Sequence, residues 1–480
     1  MVARVFSAAL TFAVPMVLAR ALLPAELGTF REAWLVVITL ALVLPMTTPQ
    51  SLYYFVPREP ERSALFVGQA LAFNLMVGLA GTGLVLAAGP AIVRHFGNPR
   101  LAAEVPWIAL VTALMVASIP FDAAYNSVGR VRAAALVRLA TEAGRGLAMV
   151  LGTLLAHSVR GLLAGIAAAL AIRLALCWGL LLRAYGLHLS WKETRRQLRY
   201  ALPFGLAAAI VIPQQQFHQY AVGAAVTASG FAIYAVGCFQ LPIVDVLYTP
   251  ISEILQIGLA EEERARPSRS GLHLFHEAVG RLALVFLPCM ALLFVCAPDL
   301  IGFLFTDRYL AATPIFRLSI VNIALAALPL DGVMRARAQN RFMIAASAAK
   351  LAVTVPLVLG GLAWLGPVGA MAGWIAAETF GRGLLLWRTA RIFDCGLRRV
   401  LPLRELLHQG IASLVALPAA FLALHLLPVT VLARLAAAGV LFGTAYLAVM
   451  WTRGWLPEGL LPPARRRTPL VSPTPVPPAE

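Results

Sequence analysis

Apolar segments long enough to cross a lipid bilayer follow one another along almost the entire chain. A helix rises about 1.5 Å per residue, so about 20 mostly apolar residues are needed to cross the hydrocarbon core. About fourteen segments meet this requirement, and they are residues 3–19, 29–54, 64–88, 105–127, 131–155, 160–183, 201–223, 228–256, 273–297, 309–334, 341–364, 366–388, 400–425 and 427–452. This pattern predicts an all-α polytopic membrane protein with about 14 transmembrane helices.

The composition excludes the other common classes of chain. Hydrophobic residues make up 60% of the chain and charged residues only 13%, whereas a soluble protein averages about 45–50% and about 25%. So few charges could not cover a soluble protein of 480 residues, and so apolar a chain does not stay disordered. The five cysteines show no CxxC pairing, and we interpret them as small packing residues without a metal or redox role.

Basic residues are distributed unevenly between the two sides of this helix map. The net charge is +17, from 39 Lys and Arg against 22 Asp and Glu. With the N-terminus in the cytoplasm, 27 bases lie on that side, six on the other and six within the spans. Cytoplasmic loops of membrane proteins carry such an excess, so the charge indicates orientation and not a nucleic-acid partner. We therefore expect a multi-pass protein of the cell inner membrane with both termini in the cytoplasm.

The first apolar segment permits a second interpretation. Arg4, a short apolar run and the sequence Ala19-Arg20-Ala21 resemble a secretory signal peptide with its cleavage site. Another span follows immediately, which favours an uncleaved first helix.

A long polar loop at residues 184–200 divides the chain after six spans, and six more spans follow it. Two halves with even numbers of spans have the same orientation, so we expect a parallel pseudo-repeat about an axis along the membrane normal. The predicted organisation is an N-terminal six-helix lobe, a C-terminal six-helix lobe, two additional transmembrane helices and a Pro-rich disordered cytoplasmic tail, at residues 1–190, 191–390, 391–454 and 455–480.

Several charged residues lie inside the spans, where a charge at the helix centre costs about 2.5–3.5 kcal/mol. Spacing places Arg138, Glu142 and Arg145 on one helix face, and Glu378 and Arg382 on another. Local ion pairs are one interpretation. The other is that surplus bases line a cavity for an anionic head group, since guanidinium forks bind phosphate in a bidentate manner. The candidate substrate-binding residues are Arg145, Arg173, Arg317, Lys350 and Arg382. Arg173, Arg317 and Lys350 have no acid three or four residues away along the chain, so we expect them to be unpaired and to bind substrate.

Acidic and amide side chains within the spans give further candidates. Carboxylates there could take up a coupling H⁺ or Na⁺ or could hydrogen-bond to neighbouring helices, and the coupling or gating candidates are Asp122, Glu142, Asp245 and Glu378. A polar belt after Pro213 cannot comfortably face lipid. It is either a sugar-contacting cavity wall or an inter-helix cluster, and its candidate residues are Gln215, His218 and Gln219.

Enzyme signatures do not appear in the sequence. No P-loop is present, which argues against direct use of ATP. His273 and His276 form an HxxH without a further ligand motif, so we expect no metal site. The longest outer loop, residues 89–104, contains a single acid. We therefore expect neither an enzyme nor a cofactor.

Two segments of the chain resemble a known family. Leu18–Phe30, read as LARALLPAELGTF, resembles the signature that follows the first helix of polysaccharide flippases, and residues 201–237 resemble their seventh and eighth helices. These flippases share a superfamily with multidrug and toxin extrusion antiporters and with lipid II flippases. The chain departs from the family pattern at Leu23, where the signature has Gly, and at Gln216–Gln219, where many members have a nearby Asp.

The resemblance implies two six-helix lobes around a central cavity that opens alternately to each side. The implied substrate is a polyprenyl-diphosphate-linked oligosaccharide, moved from the cytoplasmic to the outer leaflet of the membrane beside the glycan assembly machinery. The alternatives are a cation-coupled drug antiporter of the same fold, a lipid II flippase, or a non-transporting membrane scaffold. Drug export favours intramembrane acids, whereas this chain has more bases than acids in its central spans.

Overall fold

The computed structural model describes residues 13–239, 243–265, 271–426 and 430–456, and the regular elements within these ranges are helices. Ten of these helices are long and apolar enough to cross a membrane. The predicted class, an all-α polytopic membrane protein, is therefore confirmed, whereas the count of fourteen spans is not. The predicted tail at 455–480 falls almost entirely outside the described residues.

The described part of the first half contains eight α-helices. They are α1 (described over 13–21), α2 (Pro24–Val43), α3 (Thr48–Arg58), α4 (Ser63–Phe96), α5 (Val105–Ser118), α6 (Pro120–Ser127), α7 (Val131–Ala156) and α8 (Val159–Tyr185). Helices α2 and α3 are separated by a break in which Met46 and Thr47 take φ values of 47° and 53°. At Gly205 in α9, an added Cβ would lie 2.8 Å from the Met46 carbonyl oxygen, so this break packs directly against the second half.

The second half contains the remaining helices. They are α9 (Trp191–Ala225), α10 (Ala228–Gly237), α11 (Ile243–Ala265), α12 (Leu272–Phe305), α13 (Thr313–Ser319), α14 (Val321–Leu325), α15 (Leu330–Ala336), α16 (Asn340–Ile392), α17 (Leu397–Val400), α18 (Leu403–Leu426) and α19 (Val431–Thr452).

Helix α16 is a hairpin of two arms that meet at Gly366. Gly366 has φ 60° and ψ −146°, a conformation that glycine adopts without strain, and Pro367 follows it. An added Cβ on Gly369 in the second arm would lie 1.9 Å from the Gly361 carbonyl oxygen in the first. The two arms therefore touch backbone to backbone, as small residues allow in membrane helices.

Helices α2 and α10 join the two halves of the chain at one end of the molecule. An added Cβ on Gly28 in α2 would lie 1.8 Å from the carbonyl oxygen of Ala228 in α10. Beside this contact, Arg20 donates hydrogen bonds to the carbonyl oxygens of Phe303, at 2.5 Å, and Leu304, at 2.9 Å. These carbonyls lie in the last turn of α12, where intrahelical partners run out. Arg20 therefore caps a helix of the other half.

Helices α18 and α19 pack against each other and against α12. Small residues at helical spacing form the buried face of α18, at Ala412, Ala416, Ala420 and Ala423. Tyr446 of α19 donates a hydrogen bond to the Leu284 carbonyl oxygen of α12 at 3.1 Å. The last two helices are thus fixed to the side of the second half.

The orientation derived from charge is testable with single cysteines. Leu189 is 60% exposed before α9, and Ala102 is exposed between α4 and α5. We expect Leu189→Cys to react with a membrane-impermeant maleimide only in inside-out vesicles, and Ala102→Cys only in spheroplasts. The unsubstituted protein reports the background from its own cysteines. The reverse pattern would invert the orientation.

Candidate functional site

A polar cavity of about 400 Å³ lies between α9 and the second arm of α16, and we call it the main cavity. Its polar and aromatic lining includes Gln215, Gln216, His218, Gln219, Cys238, Phe239, Ser319, Asn322, Lys350, Trp374, Glu378 and Arg382. All three residues of the predicted polar wall, together with Lys350, Glu378 and Arg382, therefore meet in one place. Helical spacing explains why the residues of each main wall face the cavity together. Residues 215, 216, 218 and 219 share a face of α9, and 374, 378 and 382 share a face of α16.

Lys350 reaches across the α16 hairpin and forms an ion pair with Glu378. The approach is possible because Gly381 has no side chain, and an added Cβ there would lie 2.6 Å from Lys350 Cδ. The side chains of the pair are 17% and 13% exposed. The interpretation of Glu378 and Arg382 as a local ion pair is thus wrong, because the carboxylate is taken by a lysine of the other arm.

Arg382 keeps its positive charge unpaired beside this ion pair. Its guanidinium donates to the Leu328 carbonyl oxygen at 3.3 Å, and its Nε has no hydrogen-bond partner. In the described part of the chain, no carboxylate lies within ion-pairing distance of it. The formal charges of three lining side chains therefore add up to +1, from Lys350, Glu378 and Arg382. This net positive charge suits an anionic ligand.

Other polar atoms in the main cavity are also left without partners. Among the described residues, Trp374 Nε1 and Asn322 Oδ1 are buried and make no hydrogen bond. His218 is held by a 2.6 Å hydrogen bond between Nδ1 and the Tyr234 hydroxyl, and Gln219 donates to Gln216 at 2.8 Å. Trp374 and Asn322 were not identified from the sequence. The position of Trp374 one turn before Glu378 is the signal that could have revealed it.

A second cavity of about 180 Å³ continues the polar path and shares Lys350, Glu378 and Arg382 with the first. It is lined on its other side by Tyr248 and Asp331. Asp331 accepts a hydrogen bond from the Tyr248 hydroxyl and forms an ion pair with Arg335 at 3.2 Å. The side chain of Asp245, a predicted coupling residue on the neighbouring α11, lies outside the described part of the structure.

Arg173 lies in the first half of the chain and is paired with acids from other helices. It contacts Asp122 of α6 at 3.2 Å and Glu142 of α7 at 3.5 Å, and its side chain is only 11% exposed. It also donates to the Thr141 hydroxyl at 3.0 Å. The expectation of an unpaired cation therefore fails for Arg173, as it does for Lys350, because helical spacing reveals only partners on the same helix.

Arg145 completes this group, which we call the Arg173 cluster (Asp122, Glu142, Arg145 and Arg173). Arg145 pairs with Glu142, as the spacing along α7 predicts, and its guanidinium carbon lies 5.7 Å from the centre of the Trp34 ring. The two cations and two anions of the cluster cancel formally. Such a neutral group holds α6, α7 and α8 together and offers little net attraction for an anion.

Two further basic residues lie away from the main cavity. Arg317 donates to the Phe294 carbonyl oxygen at 3.0 Å and lies 5.0 Å above the Phe294 ring, and it lines neither cavity described above. Arg434 forms an ion pair with Asp299 at 3.7 Å. Within the described ranges, no group of three or more His, Cys, Asp and Glu is arranged to hold a metal ion.

A family model for polysaccharide biosynthesis proteins matches residues 17–314. The chain belongs to this family. The match confirms the resemblance seen in the sequence, and it includes α2, α9, α10 and the α9 wall of the main cavity. A comparison with functionally curated proteins finds no match.

Solved structures with similar folds are membrane transporters. A lipid II flippase, MurJ, in an inward closed conformation has a TM-score of 0.74 at 14% identity, covering 94% of this chain and 98% of its own. An inward-facing multidrug resistance MATE family transporter of the MOP superfamily has a TM-score of 0.61 at 15% identity, covering 83% and 95%. A MOP superfamily transporter from Pyrococcus furiosus has a TM-score of 0.55 at 15% identity, covering 81% and 96%. This member of the polysaccharide biosynthesis family thus has the fold of a MOP superfamily transporter.

The Arg173 cluster is expected to contribute to stability in this family member. Arg173→Gln leaves Asp122 and Glu142 without one of their cations, which should lower the free energy of unfolding by about 2 kcal/mol. Adding Asp122→Asn should restore part of the loss, because the unpaired charge is removed. Thermal unfolding in detergent measures both variants, with Arg138→Gln on the exposed side of α7 as the control. Unchanged stability in Arg173→Gln, together with loss of transport, would instead indicate a substrate-binding role.

Proposed function

We propose that this protein flips a polyprenyl-diphosphate-linked oligosaccharide across the bacterial inner membrane by alternating access. Membership of the polysaccharide biosynthesis family and the transporter fold support a membrane flippase or transporter. The observation that carries the choice of substrate is the unpaired Arg382 beside the Lys350–Glu378 pair in the main cavity. A guanidinium fork matches two phosphate oxygens at once.

The main cavity provides separate groups for the two parts of such a substrate. Arg382 and Lys350 supply donors for the diphosphate at one side. The amides of Gln215, Gln219 and Asn322 at the other side match sugar hydroxyls, which both donate and accept hydrogen bonds. The free indole N–H of Trp374 adds a donor at the edge of an apolar ring. One cavity therefore combines a phosphate-binding end with a sugar-binding wall.

Among the coupling candidates whose side chains the structure describes, Glu378 lines the main cavity. In the present arrangement it neutralises Lys350. Uptake of a proton by the Glu378 carboxylate would remove that partner and free the ammonium group for the substrate diphosphate. Loss of the proton after the cavity reopens would restore the ion pair and expel the anion. This cycle links H⁺ movement to substrate movement, and Na⁺ binding at the same carboxylate is the alternative coupling.

Net charge separates this proposal from the drug-antiporter alternative. Export of organic cations requires negative charge where the substrate lies, since a like charge repels it. Among the described side chains that line the main cavity, charged cations outnumber anions by one. We therefore place a cation-coupled drug antiporter second.

The remaining features of the proposal concern the whole chain. Residues 1–190 and 191–390 form two lobes that rock against each other, and the second lobe carries the lining of the main cavity. Residues 391–454 form an additional helix pair. The protein lies in the inner membrane with both termini in the cytoplasm, beside the glycan assembly machinery that supplies its substrate. It carries out no catalysis.

Deletion in the bacterium that carries this chain tests the proposal. We expect a polyprenyl-linked oligosaccharide to accumulate on the cytoplasmic leaflet and the corresponding surface glycan to be lost, with drug susceptibility unchanged. Mass spectrometry of extracted lipid-linked glycans and a sidedness assay measure the result. Normal surface glycan combined with increased drug sensitivity would favour the antiporter instead.

A further inference from the structure

Three unpaired cations share one face at the start of α9. Lys192, Arg195 and Arg199 are spaced at i, i+3 and i+7, which places them on one side of the helix. All three are exposed, and no hydrogen bond or ion pair forms at their side chains within the described chain. The neighbouring Arg196 differs, because it pairs with Glu59 at 2.6 Å and with Glu193 at 3.3 Å.

The pairing of Arg196 shows that acidic side chains are within reach of the start of α9. Its guanidinium, by donating a hydrogen bond to Glu59, holds the pKa of that carboxyl below its usual range. Local acids are therefore available and are used by Arg196, whereas the face with Lys192, Arg195 and Arg199 is left without anions. Three uncompensated charges this close repel one another unless an anion lies between them.

Two depressions of different character meet at this face. A basic pocket of about 580 Å³ is lined by the cations together with Tyr54, Phe55 and Tyr200. An apolar groove of about 470 Å³ is lined by Met46, Phe73, Trp191, Leu198 and Leu202, among others. Arg195 and Arg199 line both. The surface therefore continues from a positively charged pocket into an apolar groove without a gap.

We propose that this surface binds an anionic phospholipid of the adjacent membrane leaflet. The head-group phosphate lies in the basic pocket between Lys192, Arg195 and Arg199, and an acyl chain follows the apolar groove past Leu198 and Leu202. Clusters of Lys and Arg next to a transmembrane helix attract anionic lipid head groups. Trp191, which is 80% exposed, has the amphipathic ring that favours the membrane–water interface.

The adjoining groove is what assigns the ligand to a lipid. A free phosphate would be held by the cations alone and would leave the apolar groove exposed to water, which is unfavourable. A phospholipid covers both depressions at once. The same helix carries Gln215 and Gln219 of the main cavity further along, so a lipid bound here fixes one end of a cavity wall. The inference is independent of which substrate that cavity carries.

Lipid titration of the delipidated, full-length protein in detergent tests this site. We expect dioleoyl-phosphatidylglycerol to form a one-to-one adduct in native mass spectrometry and to raise the unfolding temperature, while dioleoyl-phosphatidylcholine does neither. The triple variant Lys192→Gln/Arg195→Gln/Arg199→Gln should bind phosphatidylglycerol about tenfold more weakly or worse, since each base near a membrane surface contributes to head-group binding. The control triple Arg130→Gln/Arg132→Gln/Arg138→Gln removes the same charge from exposed positions and should bind normally.

A second variant separates the two halves of the site and is not expected to disturb folding. Trp191 is almost fully exposed, so Trp191→Ala should weaken phosphatidylglycerol binding while leaving the fold unchanged. Three results would overturn the proposal. They are an equal loss of phosphatidylglycerol affinity in the control triple, equal binding of phosphatidylcholine, and full phosphatidylglycerol affinity in Trp191→Ala. Stabilisation by sodium phosphate alone would indicate a free-anion site. Displacement of phosphatidylglycerol by a lower concentration of geranylgeranyl diphosphate would indicate a docking site for an isoprenoid diphosphate, which also contradicts a phospholipid.

Discussion

Replacing Arg382 with glutamine is expected to reduce glycan export strongly while the protein remains in the membrane at its normal level. The neutral variant removes the cation that has no ion-pair partner among the described residues of the main cavity, and it leaves the Lys350–Glu378 pair intact. Charge-assisted hydrogen bonds contribute about 1.5–3 kcal/mol, so transport at limiting substrate should fall by about tenfold to hundredfold. Surface glycan measured against membrane protein level gives the result.

Two matched variants accompany Arg382→Gln. Arg382→Lys keeps the charge but loses the planar fork, so it should retain part of the transport. Arg391→Gln removes a charge from an exposed position on the same helix, where the guanidinium lies over the Trp387 ring, and should leave export unchanged. Full export by Arg382→Gln would show that export does not need this cation. An equal loss in Arg391→Gln would show that the effect is not specific to the main cavity.

Gly28→Ala is expected to separate α2 from α10 and to impair both stability and transport. The new Cβ would lie 1.8 Å from the Ala228 carbonyl oxygen, and a backbone atom cannot move aside unless the helices part. Overpacking of this kind costs about 1–3 kcal/mol. Because these helices join the two halves of the chain, their separation should impair transport as well. Unfolding temperature in detergent and export in cells measure the two effects.

The control for Gly28→Ala is another helical glycine with free space around it. An added Cβ on Gly179 in α8 meets no atom within 4 Å, so Gly179→Ala should be neutral or slightly stabilising. If Gly28→Ala keeps the normal unfolding temperature and full export, the close contact between α2 and α10 does not matter to the transport cycle.

Much of the helix map could be predicted because the loops between apolar segments are polar and short. The predicted spans 131–155 and 160–183 agree with α7 and α8 to within two residues. The turn at Gly366 separates the predicted spans 341–364 and 366–388 within what is formally one long helix. Each of these boundaries is marked in the sequence by polar residues, glycine or proline.

Other boundaries depend on interactions that hydropathy does not record. The span 29–54 was expected to be continuous, but the chain breaks between α2 and α3 at Met46 and Thr47. Pro45 and Pro49 flank the break, so the sequence marks it by proline, which a hydropathy average does not weigh. The Met46 carbonyl packs against α9 at this point.

The sequence indicated several residues that line the cavity, but it did not indicate which charged side chains form ion pairs. The polar belt after Pro213 grouped Gln215, His218 and Gln219, and all three line one cavity. Helical spacing treated Lys350 and Arg173 as unpaired, because it compares residues only within one helix. Their acid partners come from other helices or from the other arm of α16. Ion pairs between segments depend on the packed fold, so a single sequence does not reveal them.

Reconstitution tests the central claim most directly. The purified protein is placed in proteoliposomes with a polyprenyl-diphosphate-linked oligosaccharide on one leaflet, and a membrane-impermeant glycosidase reports the fraction that reaches the other. We predict transfer well above protein-free vesicles for the wild type and background transfer for Arg382→Gln. Background transfer by a folded wild-type protein under both H⁺ and Na⁺ gradients, or equal transfer by wild type and Arg382→Gln, would contradict the account.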